Sequence, residues 1–377
     1  MKKITVLMLV FMLAFIICPA VSADSAEDEL EIIKDRIDSH LTDDLDSDTI
    51  DELDDMGVKP SDSTAITSLD IRSVFSRLSE RFKASIRAPA VMLGRILAVS
   101  LIYSAMLQLS SDMTGTSKVF STICIICVIT IMADSMSSSF TALQNSISCI
   151  NTFMLSYIPI FTAVTAAGGA PVTAGVYSAS TVLVCEVTEF ISSQLLIPML
   201  SSLTAMTIVS AIEPKLKISG FAESVRKLTT WMLASTMLVF VGLLTVQGVT
   251  GSAADSLTSR TLRFAASSFI PVIGASVSDA FMAVKGGMGL IRSAVGGFGM
   301  LAVFLIAARP FISIFSMKLA LWAGRIVNEL LGLRQTAEFL KSINSVLSIA
   351  VSILISISAA FLIATAAVLS VSTSGGQ

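Results

Sequence analysis

Charge is scarce in this sequence. Asp, Glu, Lys and Arg make up 14% of its 377 residues, against about a quarter in an ordinary soluble chain. Histidine occurs once, at His40, which removes most histidine-based acid–base catalysis. Of the five cysteines, Cys18 lies in a targeting segment, while Cys124, Cys127, Cys149 and Cys185 lie in apolar runs; that is not a disulfide framework. Cys124 and Cys127 have CxxC spacing, but no histidine or acidic neighbour stands by to lower a thiol pKa, so they read as two small hydrophobes. No HExxH, GxSxG or Walker sequence is present, and the glycine clusters lack the Gly-Lys-Ser/Thr of a phosphate loop. The sequence points away from an enzyme and implies no cofactor and no metal. It has no large basic surface, which argues against nucleic acid as a partner.

Apolar length is what the chain has instead. Hydrophobic residues make up 54% of it and the mean hydropathy is +0.83, so the lipid bilayer is its solvent and first partner. The few charges are unevenly spread. Residues 24–58 hold 15 acidic and two basic side chains and no aromatic, whereas 88–377 hold 15 basic and 10 acidic.

Lys2 and Lys3 precede an apolar run from Ile4 to Cys18, followed by Val21-Ser22-Ala23. A charged start, a short apolar core and small residues at the exit make residues 1–23 a secretory signal peptide with cleavage between Ala23 and Asp24; an uncleaved first anchor is the alternative. Ile17 before Cys18 argues against lipoprotein processing. Either way, the chain from residue 24 starts outside the cytoplasm. Residues 24–67 form an acidic extracytoplasmic segment, either solvated and disordered or a docking helix for a basic partner, with Ile33, Ile37 and Leu41 at four-residue steps. Residues 68–87 predict a basic amphipathic helix: Ile71, Val74, Phe75, Leu78, Phe82 and Ile86 share one face, with arginines elsewhere. It suits either a headgroup layer or a packed position.

Residues 88–370 read as a multi-pass transmembrane domain, with 371–377 a short polar tail. Residues 135–185 contain no charged side chain. As one helix they would reach roughly 76 Å, against a hydrocarbon core of about 30 Å, so the chain must fold back, at Gly168-Gly169-Ala170-Pro171. Further uncharged runs at 190–212, 228–254 and 342–377 are long enough to cross, and shorter ones lie at 96–111, 119–133, 264–278 and 293–308. The expected fold is all-α, a polytopic transmembrane helix bundle of about seven to ten membrane segments. Lys215, Lys217, Arg226 and Lys227 make 212–227 a cytoplasmic loop by the positive-inside rule, reached by five crossings after residue 87.

Ionisable residues at membrane depth are the candidate polar sites: Arg95, the i,i+3 pair Glu186 and Glu189, Asp279 and Arg292. A water-lined path or interhelical ion pairs would explain them, as would snorkelling to the interface. Pro159, Pro198 and Pro271, with Gly168, Gly169 and Pro171, are candidate helix breaks. The clusters Gly286, Gly287, Gly289 and Gly296, Gly297, Gly299 suggest close helix packing.

Three stretches carry a family likeness: Ser156-Tyr-Ile-Pro-Ile-Phe-Thr-Ala-Val164 with Gly168-Gly169, Val246-Gln-Gly-Val-Thr-Gly251, and Thr261-Leu-Arg-Phe-Ala-Ala-Ser-Ser-Phe-Ile-Pro-Val-Ile-Gly274 running on to Ser278-Asp279-Ala280. With the Leu216-Lys-Ile-Ser-Gly220 loop, these resemble the stage III sporulation protein AE family of endospore-forming bacteria over about residues 65–370; the acidic segment 24–58 is not matched. The resemblance implies a multi-pass protein of the mother cell, placed in the membrane around the engulfed forespore. It implies a channel-like assembly with the other stage III A sporulation membrane proteins and a forespore partner, which sustains the forespore and late forespore sigma-factor activity. A permease-like or scaffold subunit is the role that follows; a stand-alone secondary transporter using Glu186, Glu189 and Asp279 as a proton or cation relay is the alternative.

Overall fold

A computed structural model describes residues 23–43, 45–62, 71–109, 116–213, 220, 223–242, 254–255, 257 and 274–373. No strand occurs among them. In chain order the helices are α1 (Ala23–Asp43), α2 (Ser47–Asp55), α3 (Ile71–Ser85), α4 (Arg87–Leu109), α5 (Thr116–Ala167), α6 (Pro171–Phe190), α7 (Ile197–Ile212), α8 (223–242), α9 (Gly274–Leu330) and α10 (Arg334–Thr373), with a π-helical turn, Ile191–Leu196, joining α6 to α7.

The chain folds back at 168–170. Gly169 adopts φ +89°, a backbone conformation that costs glycine little, and Pro171 opens α6 at a position where its missing N–H has no intrahelical partner to lose. The second tight reversal, at 331–333, pairs α9 with α10.

Side-chain contacts fix the register. Tyr157 lies against Gly299 and Ser139 against Met317, so α5 and α9 run antiparallel. Gly296 faces Leu369 and Lys318 bonds Ser348, so α9 and α10 do the same. Ser121 and Cys124 meet Gln335 and Thr336, which sets α5 parallel to α10. Tyr177 meets Thr365 while Gln335 donates to the Ala211 carbonyl, so α6 and α7 descend beside α10. The ends 116, 212, 330 and 334 therefore share one end of the bundle, and 167, 171 and 373 the other. The shared core is apolar, with Phe153, Tyr157, Phe161, Phe298 and Phe361 fully buried.

Five helices among the described residues are long and apolar enough to cross a membrane: Val74–Gln108, Val119–Ala167, Pro171–Ile212, Gly286–Leu330 and Arg334–Ser370. Among the described residues, several of the sequence-derived segments are gathered into single longer elements. Asp134 separates two uncharged runs in the sequence, yet both lie on the single 52-residue α5. Between residues 87 and 212 the described chain makes three passes rather than five, which reaches the same end because both numbers are odd. Pro159 breaks nothing; it sits on the exposed side of continuous α5. Pro198 follows the π-helical turn, whose wider winding accommodates a ring that clashes with the carbonyl four residues back. Pro271 lies outside the described residues.

Candidate functional site

Polar side chains converge midway along the bundle. Pro310, inside α9, cannot bond the Ile306 carbonyl. Arg309 precedes it, and its Nη1 donates to Asp46 Oδ2 at 2.5 Å and to Asp48 Oδ2 at 2.9 Å. Both carboxylates belong to the start of α2. Asp46 is its N-cap, accepting the backbone N–H of Thr49 on its carbonyl and the Thr49 hydroxyl on Oδ1. The acidic segment is therefore a folded hairpin. Ile37, Leu41, Leu45, Leu53 and Val58 are buried, and the Asp38 carboxylate accepts the Ser61 N–H at 2.8 Å and its hydroxyl at 2.9 Å, tying the end of the hairpin to α1.

Basic side chains of the same chain meet the acidic segment. Arg81 of α3 pairs with Glu52, and Arg77 pairs with Asp55 through its carboxylate and its carbonyl, each at 2.9 Å. Phe82 of α3 meets the bundle, its ring 6.3 Å from that of Phe315, while Phe75 on the same face is 73% exposed. The solvated-segment alternative fails from Ile37 onward, because every fourth or so residue is apolar and needs a wall to cover it.

A cavity of about 430 Å³ opens beside this clasp, lined by Asp46, Asn145, Ser146, Cys149, Arg309 and Ser313 among others. The Arg309 side chain is 23% exposed, and neither its Nε nor its Nη2 has a hydrogen-bond partner among the described residues. Two unsatisfied donors on a half-buried guanidinium offset part of what the two ion pairs contribute. The clasp thus fixes the position of the hairpin more than it stabilises the bundle.

The sequence-derived candidates are spread over the bundle. Glu186 is exposed on α6, and Glu189, one turn on, accepts from Asn151 Nδ2 at 2.5 Å. Arg95 is exposed on α4 and Arg292 is buried on α9, with its Nε unpartnered among the described residues. The ion pairs of the described residues involve none of these four. Asp279 lies on α9, but its side chain is outside the described residues, as are residues 1–22; the backbone of Ala23 and Asp24 begins α1. Gly296 and Gly299 stand where an added Cβ would press on Leu369 and on the Tyr157 ring. At Gly286, Gly287 and Gly289 a Cβ would meet nothing within 4 Å among the described residues. Gly297 is half-buried.

Three polar contacts escaped the sequence reading. Arg309 was legible only as the charge that ends the uncharged run at 308. Asp255 caps α6 from a distant segment, its two oxygens accepting the N–H groups of Val172 and Thr173 at 2.9 and 2.8 Å; no spacing rule links residues so far apart. Gln335 bridges Ser121 and the Ala211 carbonyl, closing three helix ends together. No group of His, Cys, Asp and Glu among the described residues is placed to hold a metal.

Five helices of membrane-spanning length and apolarity, joined by tight reversals, give the described residues the form of a polytopic helical membrane protein. A family model described as Stage III sporulation protein AE matches residues 62–372. The chain belongs to that family. It is 24% identical over 247 residues to a protein of Bacillus subtilis (strain 168) named Stage III sporulation protein AE, an alignment that covers 66% of this chain and 61% of that protein. No solved structure matches the chain.

Proposed function

We propose that this chain is a permease-like or scaffold subunit of the channel assembly between mother cell and forespore. It works in the mother-cell-derived membrane around the forespore, with the other stage III A sporulation membrane proteins and a forespore partner. Family membership across 62–372 carries the reading. The five membrane-length apolar helices support it. The sequence carries no phosphate loop, so any energy comes from a partner.

Sidedness follows from charge and register. A cleaved signal peptide puts the acidic hairpin outside the cytoplasm, and three passes then bring the chain to residue 212. That end of the bundle also carries Arg325 and Arg334, in keeping with the positive-inside rule. Deleting the gene tests the function. Vegetative growth is expected to be normal, with spore formation arrested after engulfment. Normal sporulation, or a solute-uptake defect in growing cells, overturns the reading.

A further inference from the structure

The outer side of α5 changes character along its length. Val119, Ile123 and Ile126 are exposed near its start and Leu155 near its end, as lipid contact requires. From 134 to 152 every exposed residue is polar. Asp134, Ser138, Asn145 and Thr152 share one edge, and Ser137, Thr141, Gln144 and Ser148 the other. At about 100° per residue these eight fall within a sector of about 120°, and the 18 steps from 134 to 152 rise about 27 Å. The apolar residues before and after lie in that same sector, so one helix face is apolar, then polar, then apolar again.

Lipid is a poor match for this middle zone. Ser138 returns its hydroxyl to the Ser135 carbonyl at 3.1 Å, a local bond that lets serine enter hydrocarbon. The Gln144 and Asn145 amides and the Asp134 carboxylate have too many polar atoms to hide in this way. A second observation places water at the same height. Cys149, on the same stretch of α5, lies 4.0 Å from Asp46 of the acidic hairpin. The exposed carboxylates of that hairpin cannot sit in hydrocarbon, and Asn145 lines the cavity the two elements share.

We propose that the 134–152 face of α5 is one wall of a water-filled path for small hydrophilic solutes, bounded at both ends by lipid-covered helix. Because the face lies on the outside of this chain, another polypeptide completes the path. This deepens the permease-like reading and rests on it for the path's use, though not for its contact with water.

Thiol accessibility in the full-length protein, in membranes of sporulating cells, tests the inference. Single cysteines at Ser137, Gln144 and Ser148 are compared with Ile123→Cys, Ile126→Cys and Leu155→Cys on the same face, with Cys127 and Cys149 replaced by serine. The probe is a membrane-impermeant sulfonated maleimide, which needs a hydrated thiolate. Middle positions are expected to react on the order of tenfold faster than both sets of flanking positions. Equal protection throughout overturns the proposal, as does labelling that runs on through Leu155→Cys, because bulk water then covers the whole upper half. Should a cysteine variant fail to accumulate, Thr141→Asp against Ile123→Asp serves instead: a charge is expected to be tolerated in the middle and rejected at the flank, and the reverse order overturns the proposal. A sporulation-proficient deletion strain refutes the channel role alone; a protected stripe in a strain whose deletion blocks sporulation refutes the water-filled wall alone.

Discussion

Gly299 offers a stability prediction with a definite sign. A Cβ placed there would lie 2.5 Å from Cζ and 2.8 Å from Oη of Tyr157, and closer still to Cε2, where ordinary contact needs about 3.5–4.0 Å. The ring would have to retreat by about 1 Å. It has nowhere to go: Phe153 and Phe161 stack against it at centroid distances of 5.6 and 5.3 Å, and Phe298 packs on Phe153 in turn. Overpacking of a fixed core costs about 1–3 kcal/mol, and the helix propensity of alanine returns at most about 1 kcal/mol. Gly299→Ala is therefore expected to destabilise by about 1–2 kcal/mol. At about 2.1 cal/mol/K of unfolding entropy per residue, a chain of this size then loses about 1–3 °C of thermal midpoint in detergent. Gly286→Ala and Gly287→Ala, which meet open space on the same helix, should leave the midpoint unchanged or raise it. A Tyr157→Leu background removes the offending atoms, so the cost of Gly299→Ala should shrink there, giving a non-zero coupling in a double-mutant cycle. The reasoning is refuted if Gly299→Ala behaves like Gly286→Ala, or costs the same in both backgrounds.

Docking of the acidic hairpin can be read by cross-linking. Asp46→Cys should form a disulfide with native Cys149 under mild oxidation, holding the amino-terminal fragment on after cleavage at a protease site inserted within 63–70; with Asp46 replaced, Arg309→Met removes the remaining Asp48 pair and should lower that yield, and an unchanged yield counts against that pair. Asp255→Ala removes both acceptors at the start of α6, and loss of such a cap costs about 0.5–2 kcal/mol. It should speed hydrogen exchange at Val172 and Thr173, with Asp255→Asn partly protective and Asp255→Ala as slow as wild type contradicting the assignment.

Much of the fold was legible because the constraint is simple. A run with no charge from 135 to 185 has to turn, and Gly168-Gly169 with Pro171 is the one place in it where backbone chemistry favours turning. The number of passes was not legible, because a charge such as Asp134 reads as the end of a span when hydropathy alone is considered. On the folded chain Asp134 sits on an exposed side of an unbroken helix. The acidic segment showed the same limit. Its four-residue apolar spacing suggested a helix, but which basic surface received it depended on Arg77, Arg81 and Arg309, the last more than 200 residues away and visible only as an interruption. Proline was over-read at Pro159: its ring forfeits the bond to the Leu155 carbonyl, yet α5 runs on through it.

The π-helical turn at Ile191–Leu196 is a phase slip. Its looser winding shifts the angular position of everything after it relative to an uninterrupted helix, so a wheel drawn from Pro171 to Ile212 misassigns one half. Winding these six residues as regular α-helix without losing one would swing either Glu189 off Asn151 or Ala211 off Gln335 by roughly 100°, whereas deleting one residue along with the turn would keep both contacts in phase. The turn is therefore where this long helix can hold one residue more or less without rotating either half, and relatives with a regular helix here should be one residue shorter in this stretch.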